Sequence, residues 1–227
     1  MDKQTMKIIA HIKNDFTSKF GIPRQSGLVP EMTSQIIFEP EFRNPDAIRG
    51  LEEFSHLWLI WNFSQSKPTE SLTVRPPRLG GNKRIGVFAT RSPFRPNPIG
   101  LSCVKIEKIE IDADLGPVIS VFSADLMDGT PIYDIKPYIP YADCMPNAVG
   151  GFADKVKEHR LNVNMPNDVC GNADEKFKSA LYEILANDPR PSYQNEPERI
   201  YSFEFGGYKI RFKADEKNLT LTELKKL

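Results

Sequence analysis

One proline-rich stretch, Thr90–Ser102, constrains what this chain can fold into more than any other. It has the sequence TRSPFRPNPIGLS, with three prolines within six residues. Proline fixes φ and lacks a backbone donor, so neither a helix nor a central strand can run through the stretch. Each residue before a proline is also pushed toward extended backbone. We therefore predict a stiff loop that presents Arg91 and Arg95. The prolines alone fit a structural corner, but two arginines with no acidic residue beside them favour a preformed binding surface.

The charge of the chain is balanced overall but uneven along the sequence. The 227 residues include 30 Lys and Arg and 30 Asp and Glu, so the net charge does not indicate a polyanionic partner. Residues 71–106, however, contain seven basic residues and no acidic one. Such a segment can attract a phosphate backbone even in a neutral protein. The alternative is that acidic residues from elsewhere in the fold neutralise it.

Cysteine usage and hydropathy predict a cytoplasmic protein. The three cysteines are an odd number without CxxC spacing, which disfavours a disulfide framework or structural zinc and indicates reduced thiols. The N-terminus lacks the apolar core of a signal peptide. The longest strongly apolar run, Leu57–Trp61, is far too short to span a bilayer. We expect no association with a membrane.

Short apolar and alternating runs predict a mainly β fold in the first two thirds of the chain. The run 56–63 is apolar on both faces, as in a central strand, and a change of apolar parity along 101–111 predicts a β-bulge. Asn44 and Pro45 predict the start of a single helix that ends near Phe54. A closed or nearly closed barrel would hide the strand edges. The predicted strands and extended segments cover residues 6–13, 33–38, 56–63, 85–89, 101–111, 118–124 and 132–141.

The composition changes after Pro146, and this change predicts a second domain. Gly150-Gly151 and the polar residues around it are typical of a linker. Residues 173–187 have apolar positions at helical spacing, and two alternating runs flank Gly206-Gly207, which predicts a hairpin. We predict a β-barrel domain over residues 1–146 and a small α+β domain over residues 147–227.

The sequence lacks the standard catalytic motifs. It contains no GxGxxG, GxxxxGK[ST] or GxSxG pattern, and its three histidines have no metal-ligand spacing. A metal-dependent or covalent hydrolase is therefore disfavoured. What remains are polar loops at predicted strand ends, where binding sites usually lie. Their arginines, carboxylates and accessible backbone could hold a zwitterionic, nucleoside-like ligand, but these residues alone do not name a reaction.

Several longer runs resemble a known family. They are PRQSGL (23–28), RGLEEFSHLWL (49–59), RPPRLGG (75–81), GVFATRSPFRPNPIGLS (86–102) and DLMDGTPIYDIKPYIPYAD (125–143). Together they closely resemble the TsaA-like family, also called TrmO, over roughly residues 6–145, and the central run is highly specific. DPRPSY (188–193) resembles the C-terminal region of the bacterial members.

The resemblance implies a methyltransferase with a β-barrel in place of a Rossmann sheet. Members of the family use S-adenosylmethionine to methylate N6 of N6-threonylcarbamoyladenosine, the modified adenosine at position 37 of certain tRNAs, and they act as homodimers. This expectation agrees with the missing glycine-rich fingerprint. The resemblance also implies which residues hold the cofactor: Gln25, Ser26, Gly27, Ser64, Gln65, Arg91, Leu101, Asp125, Leu126, Met127 and Asp128.

The chain departs from the family pattern at two of these positions. Many relatives have His where this chain has Ser64, and Pro where it has Ser26. A contact made by the loop backbone survives either change, whereas a side-chain role for the histidine would not.

The catalytic and substrate-binding residues are hypotheses drawn from the chemistry. The N6 nitrogen belongs to a urea, so it must lose its proton to become a nucleophile, and Asp134 or Tyr138 could accept that proton. Asp134 could equally make a structural hydrogen bond, and Tyr138 could stack or pack in the core. A threonyl carboxylate needs a cation, and the tRNA backbone needs further positive charge. The candidates are Arg78, Arg95 and Lys136 for the carboxylate and Arg75 and Arg84 for the backbone.

A non-enzymatic interpretation remains open at this point. The same basic loops would serve a β-barrel module that binds RNA or a nucleotide and escorts or regulates it without catalysis.

Overall fold

The computed structural model describes residues 4–67, 69–76, 83–156, 160–190 and 196–227. Six antiparallel strands close into a barrel in the order β1-β2-β7-β6-β3-β8, and a two-stranded hairpin, β4-β5, lies outside it. The barrel confirms the predicted mainly β architecture. In chain order the strands are β1 (Ala10–Lys13), β2 (Thr33–Phe38), β3 (His56–Asn62), β4 (Thr73–Val74), β5 (Ile85–Gly86), β6 (Ile99–Asp112), β7 (Gly116–Phe122) and β8 (Pro131–Pro137).

Strand β3 is a core strand of the barrel, and like every strand of the closed barrel it is paired on both sides. It pairs with β6 on one side and with β8 on the other. Leu57, Leu59 and Trp61 are buried in the barrel core, and the residues between them are half-buried. In this register Trp61 lies directly opposite Gly100 of β6, and its indole packs against the glycine at this end of the barrel.

Strand β6 contains the predicted bulge. Its register with β7 shifts between Ile106 and Lys108, so the apolar side chains on the two sides of the shift can both face inward. Strand β6 also begins two residues earlier than predicted, at Ile99, directly after the last proline of the stretch.

The prediction of one helix from Asn44 to Phe54 was wrong. Two 3₁₀ turns, Pro45–Ile48 and Leu51–Glu53, replace it. The side chain of Asn44 does accept a hydrogen bond from a backbone N–H, as an N-cap should. Gly50, with a φ of +87°, adopts left-handed backbone between the two turns and prevents a continuous helix.

Several predicted extended segments are shorter in the structure, and three of them differ by more than one residue. Strand β1 begins at Ala10 and not at residue 6. The predicted strand 85–89 ends at Gly86 and continues as a 3₁₀ turn, Val87–Ala89. After β8 the chain forms a short helix, α1 (Pro140–Asp143), in place of extended backbone. Each difference lies at the end of an element, where the hydrophobic pattern fades.

The C-terminal part of the chain forms a four-stranded sheet in the order β10-β11-β12-β9, packed against a helix. The predicted helix is α3, capped by Asp174, whose side chain accepts from the N–H of Phe177. The predicted hairpin is β10-β11, and both turn glycines have positive φ. The elements are β9 (Asn162–Asn164), α2 (Asn167–Cys170), α3 (Glu175–Ala186), β10 (Tyr201–Phe205), β11 (Tyr208–Ala214) and β12 (Asn218–Lys226).

The molecule has two hydrophobic cores, and one segment near the N-terminus crosses between them. We call residues 14–32, which connect β1 to β2, the strap. Phe16, Val29 and Met32 of the strap are buried in the core of the C-terminal sheet and not in the barrel. Neither composition nor periodicity predicts this contact between distant parts of the chain. Among the described residues, no helix has the length and apolar character needed to cross a membrane.

Candidate functional site

A cavity of about 780 Å³ opens at the end of the barrel where β3 stops and β6 starts. Its volume is in the range of small-molecule sites. Four segments line it: residues 19–25 of the strap, residues 61–66 at the end of β3, residues 88–101 in and around the proline-rich stretch, and residues 125–130 between β7 and β8. These are the strand-end loops that the sequence singles out, now brought to one place.

The proline-rich stretch is a braced loop, as predicted. The hydroxyl of Thr90 donates to the carbonyl oxygen of Val87 at 2.8 Å, and the guanidinium of Arg95 donates to the carbonyl oxygen of Thr90 at 3.0 Å. Backbone N–H groups of Ser92 and Phe94 donate to hydroxyls within the loop. The loop therefore holds its shape through its own hydrogen bonds as well as through its prolines.

Arg91 connects two predicted cofactor loops. Its Nη1 donates to Oε1 of Gln25 at 2.6 Å, although the two residues are 66 positions apart in sequence. Both side chains line the cavity. A guanidinium in this position can also receive a carboxylate, because it has five donors and this bond uses one.

Asp125 is the acidic group of the cavity lining, and a buried chain of hydrogen bonds supports it. Nε1 of Trp61 donates to Oγ of Ser102 at 2.9 Å, and Oγ of Ser102 donates to Oδ1 of Asp125 at 2.5 Å. Trp61 and Ser102 are 5% and 2% exposed. Burial raises the pKa of Asp125, while the hydrogen bond from Ser102 and the charge of Arg91 partly oppose that rise. The carboxyl therefore has a fixed orientation and a perturbed affinity for protons.

Seven of the eleven predicted cofactor residues line this cavity. They are Gln25, Ser64, Gln65, Arg91, Leu101, Asp125 and Met127.

The other four predicted cofactor residues lie beside the cavity lining. Ser26 and Gly27 continue the Gln25 loop, and the N–H of Gly27 donates to the carbonyl oxygen of Ser123 at 3.2 Å. Leu126 is fully buried in the barrel core. The carboxylate of Asp128 accepts from the N–H of Asn14 at 2.9 Å, so it anchors the start of the strap.

The structure does not bring the two proposed proton acceptors to this cavity. Asp134 forms an ion pair with Lys136 at 2.9 Å on β8. Tyr138 follows β8, where its N–H donates to the carbonyl oxygen of His56 and its ring lies 5.9 Å from that of Trp58. His56 begins β3, whereas the cavity lies at the other end of that strand. Neither residue, nor Lys136, lines the cavity of its own chain.

The candidate substrate-binding arginines are divided between the cavity and the hairpin. Arg95 lines the cavity. Arg84 lies at the β4-β5 hairpin, where its Nη1 donates to the hydroxyl of Thr73 at 2.9 Å, and Arg75 follows β4. Arg78 is outside the described residues. The predicted basic segment thus places positive charge both in the cavity lining and on this hairpin.

The lining also contains residues that the sequence analysis did not assign to a site, and three of them stand out. Lys19 of the strap donates to the carbonyl oxygen of Gln65 at 2.7 Å, so it joins the strap to the loop after β3. Trp61 belongs to an apolar run that indicates only core packing. Phe88 lines the cavity with 75% of its surface exposed, although its neighbour Val87 is buried. The sequence predicted a strand at 85–89, and that pattern does not indicate an exposed aromatic ring beside a cavity.

Comparison with known proteins covers nearly the whole chain. Residues 11–144 match the tRNA-methyltransferase O N-terminal domain, and residues 162–227 match the TrmO C-terminal domain. The chain is 37% identical over 221 residues to the tRNA (adenine(37)-N6)-methyltransferase of Escherichia coli (strain K12), with 92% of each chain covered. It is 41% identical over 211 residues, with 85% of each chain covered, to RcsF of Pseudomonas aeruginosa, which is provisionally named an S-adenosylmethionine-dependent methyltransferase.

A solved structure agrees with these matches. The crystal structure of TrmO from Pseudomonas aeruginosa superposes with a TM-score of 0.79 at 30% sequence identity, and the alignment covers 100% of this chain and 99% of that chain. The match includes the C-terminal sheet as well as the barrel. On sequence and structure together, the chain belongs to the tRNA-methyltransferase O family.

Proposed function

We propose that this protein transfers a methyl group from S-adenosylmethionine to N6 of adenosine 37 in tRNA, and that its substrate bears the N6-threonylcarbamoyl group. The cavity is the main support, because it gathers seven positions that the family uses for the cofactor at the end of one barrel. The relatives named as tRNA (adenine(37)-N6)-methyltransferases supply the reaction.

The residues of the cavity fit S-adenosylmethionine. The Asp125 carboxylate suits the amino or sulfonium group, and the Arg91 guanidinium suits the carboxylate. Leu101, about half exposed in the cavity lining, offers apolar surface to the adenine. When bound, the cofactor supplies an electrophilic methyl group on a sulfonium. The protein's contribution is to hold that methyl in line with the nucleophile, which provides up to ~7–11 kcal/mol in ideal cases.

Removal of the N6 proton needs an acceptor. Asp134 and Tyr138 remain our candidates, but each lies away from the cavity of its own chain. Either can therefore act only where a second copy brings it to the cavity. Desolvation, together with a hydrogen bond to Cys144, raises the pKa of Tyr138, which disfavours the phenolate at neutral pH. Asp134 is for this reason the better candidate for the proton acceptor. An Asp134→Asn enzyme with an unchanged methylation rate would exclude Asp134 from that role.

The tRNA would meet the basic loops and the exposed ring beside the cavity. Phe88 is suited to stack on a base that has left the anticodon-loop stack. Arg95 is suited to the threonyl carboxylate, with Lys136 as a second candidate, and Arg75 and Arg84 are suited to backbone phosphates. Arg78 remains a candidate for binding the threonyl carboxylate, as the sequence suggests.

A homodimer is the proposed assembly. Tyr141, Met145 and Val149 follow the barrel in a segment that is exposed throughout, and Tyr141 is 90% exposed. Apolar side chains concentrated in this way favour an interface. Light scattering on the purified protein should give twice the chain mass, and Tyr141→Asp should shift it toward one chain. A wild-type protein with the mass of a single chain would contradict the dimer.

The proposed organisation is a catalytic barrel domain at residues 1–146 and a small α+β domain at residues 147–227, both in the cytoplasm. The family boundaries at residues 144 and 162 support the division. The strap is the exception, since it belongs to the first unit by sequence and to the second core by packing.

One experiment separates catalysis from binding alone. The purified protein is incubated with methyl-labelled S-adenosylmethionine and tRNA from a strain that lacks the enzyme. Label in the modified adenosine at position 37 is the expected result. Binding of tRNA without transfer of label would favour the non-catalytic RNA-binding module instead.

A further inference from the structure

The strap carries the Gln25 loop, yet it is packed by the C-terminal sheet. The ring of Phe16 stacks on Phe205 with centroids 4.9 Å apart, and Phe20 contacts both Phe203 and Phe212. Gly21 packs so closely on Phe203 that a methyl group there would overlap the ring. The position of the strap is therefore set by residues about 180 positions away in sequence.

Arg24 fastens the strap to the C-terminal unit just before the Gln25 loop. Its Nη2 donates to the carbonyl oxygens of Asp188 and Arg190, at 3.2 and 2.6 Å. These two acceptors are held by a buried ion pair, in which Nε of Arg190 lies 2.8 Å from Oδ1 of Asp188. Arg190 also donates to the carbonyl oxygens of Ala214 and Asp215. The acceptors of Arg24 are thus part of a rigid, satisfied network.

Arg24 itself borders the cavity, and so does Gln25, the residue that follows it. Gln25 accepts the 2.6 Å hydrogen bond from Arg91, and the backbone N–H of Ser26 faces the carboxyl of Asp125. A continuous series of contacts therefore runs from the buried Asp188–Arg190 pair through Arg24 to the cavity. Among the described residues, the cavity lining includes none beyond Thr130, and the strap connects the C-terminal unit to that lining.

We propose that Arg24 is a positioning residue through which the C-terminal unit holds the Gln25 loop against Arg91, and so sets the affinity for the cofactor. This inference rests on the proposed cofactor site. A loop that is ordered before binding does not lose that conformational entropy when the ligand arrives. The C-terminal unit thus contributes to methyl-donor binding although none of its described residues lines the cavity.

Two variants of the full-length protein test this coupling. Arg24→Met removes the guanidinium at the anchor, and Gly21→Ala disturbs the contact with Phe203, outside the cavity lining. We expect each to raise the calorimetric Kd and the KM for S-adenosylmethionine about tenfold, with kcat at saturating cofactor within twofold of wild type. Arg24→Lys should fall between Arg24→Met and wild type. Hydrogen exchange in residues 22–28 should become faster in both variants.

Matched controls isolate the coupling from general effects. Gly50→Ala places a side chain at nearly the same φ, +87° against +96°, but with nothing within 4 Å, and should leave the Kd unchanged. Arg211→Met removes a half-buried arginine paired with Glu223 in the same sheet and should also bind normally.

Each remaining outcome overturns the inference. If Arg24→Met weakens binding while Gly21→Ala neither weakens it nor changes hydrogen exchange, Arg24 contacts the cofactor directly and positions nothing. If both variants bind like wild type, the C-terminal unit does not set the affinity. A Gln25→Ala variant distinguishes failure of the coupling from failure of the proposed cofactor site. If wild type binds the cofactor and Gln25→Ala binds weakly, the site is correct and only the coupling has failed.

Discussion

Replacing Gly100 with alanine should damage both the barrel and the cofactor site. Gly100 faces Trp61 across the β3-β6 ladder, and an added methyl carbon would lie only 2.5 Å from Cδ2 of the indole. Carbon atoms in contact prefer about 3.5–4.0 Å, so the ring must move by roughly 1 Å. Trp61 is almost fully buried, and the ring of Phe63 lies 4.2 Å from it. The indole therefore has little room to move.

The expected loss of stability is the sum of two effects. Overpacking of a buried site costs about 1–3 kcal/mol. Displacement of the indole also breaks its hydrogen bond to Ser102, which contributes about 1 kcal/mol net. We therefore expect Gly100→Ala to lower the free energy of unfolding by about 2–4 kcal/mol. Because Ser102 orients Asp125, the Kd for S-adenosylmethionine should rise about tenfold, which is ~1.4 kcal/mol.

Urea unfolding followed by circular dichroism measures the first effect, and calorimetric titration with the cofactor measures the second. Gly86→Ala is the matched control, since Gly86 is also a strand glycine and an added methyl group there meets nothing within 4 Å. That control should lie within about 0.5 kcal/mol of wild type. A Gly100→Ala protein as stable as the control, with an unchanged Kd, would refute the structural reasoning.

Three further predictions concern the site. Burial raises the pKa of Asp125 above the ordinary 3.8. If the carboxylate holds the cofactor, the affinity for S-adenosylmethionine should therefore fall as the pH drops through that raised pKa. Asp125→Asn should bind the cofactor about 10–100-fold more weakly at pH 8 and lose this pH dependence, and a variant that keeps the pH dependence would assign it to another group. Phe88→Ala should raise the KM for tRNA about tenfold, since base stacking contributes about 1–3 kcal/mol, with the cofactor Kd within threefold of wild type; an unchanged KM would exclude stacking. Arg84→Gln should lower the slope of log affinity for tRNA against log salt by about one unit, and an unchanged slope would show that Arg84 meets no phosphate.

Local sequence patterns predicted the barrel because its strands obey local rules. Alternation, the parity change in β6 and the three prolines after Arg91 each constrain a few neighbouring residues, and the structure satisfies all three. The helix expected after Asn44 failed for an equally local reason, since Gly50 adopts left-handed backbone that the capping pattern does not reveal.

The composition of the site was harder to predict. The family resemblance was needed for the seven predicted cofactor residues that line the cavity, because loops at the ends of different strands meet only in the closed barrel. Lys19 and Arg24 donate to carbonyl oxygens of residues far away in sequence. Any residue can supply a backbone carbonyl, so the sequence does not reveal these acceptors. Asp134 lies in a proline-rich segment and was a candidate proton acceptor, but on β8 its carboxylate pairs with Lys136.

The strap also affects how the protein is made. Residues 14–32 leave the ribosome early, whereas β10, β11 and β12, which cover Phe16 and Phe20, are synthesised last. At roughly 5–20 residues per second, the aromatic side chains of the strap must wait many seconds for their partners. The nascent barrel can pair its strands during that interval, but the Gln25 loop lacks its support. If the C-terminal unit holds the Gln25 loop as proposed above, the ability to bind the methyl donor is acquired only at the end of synthesis. An incomplete chain then exposes apolar side chains of the strap where the finished protein has a binding loop.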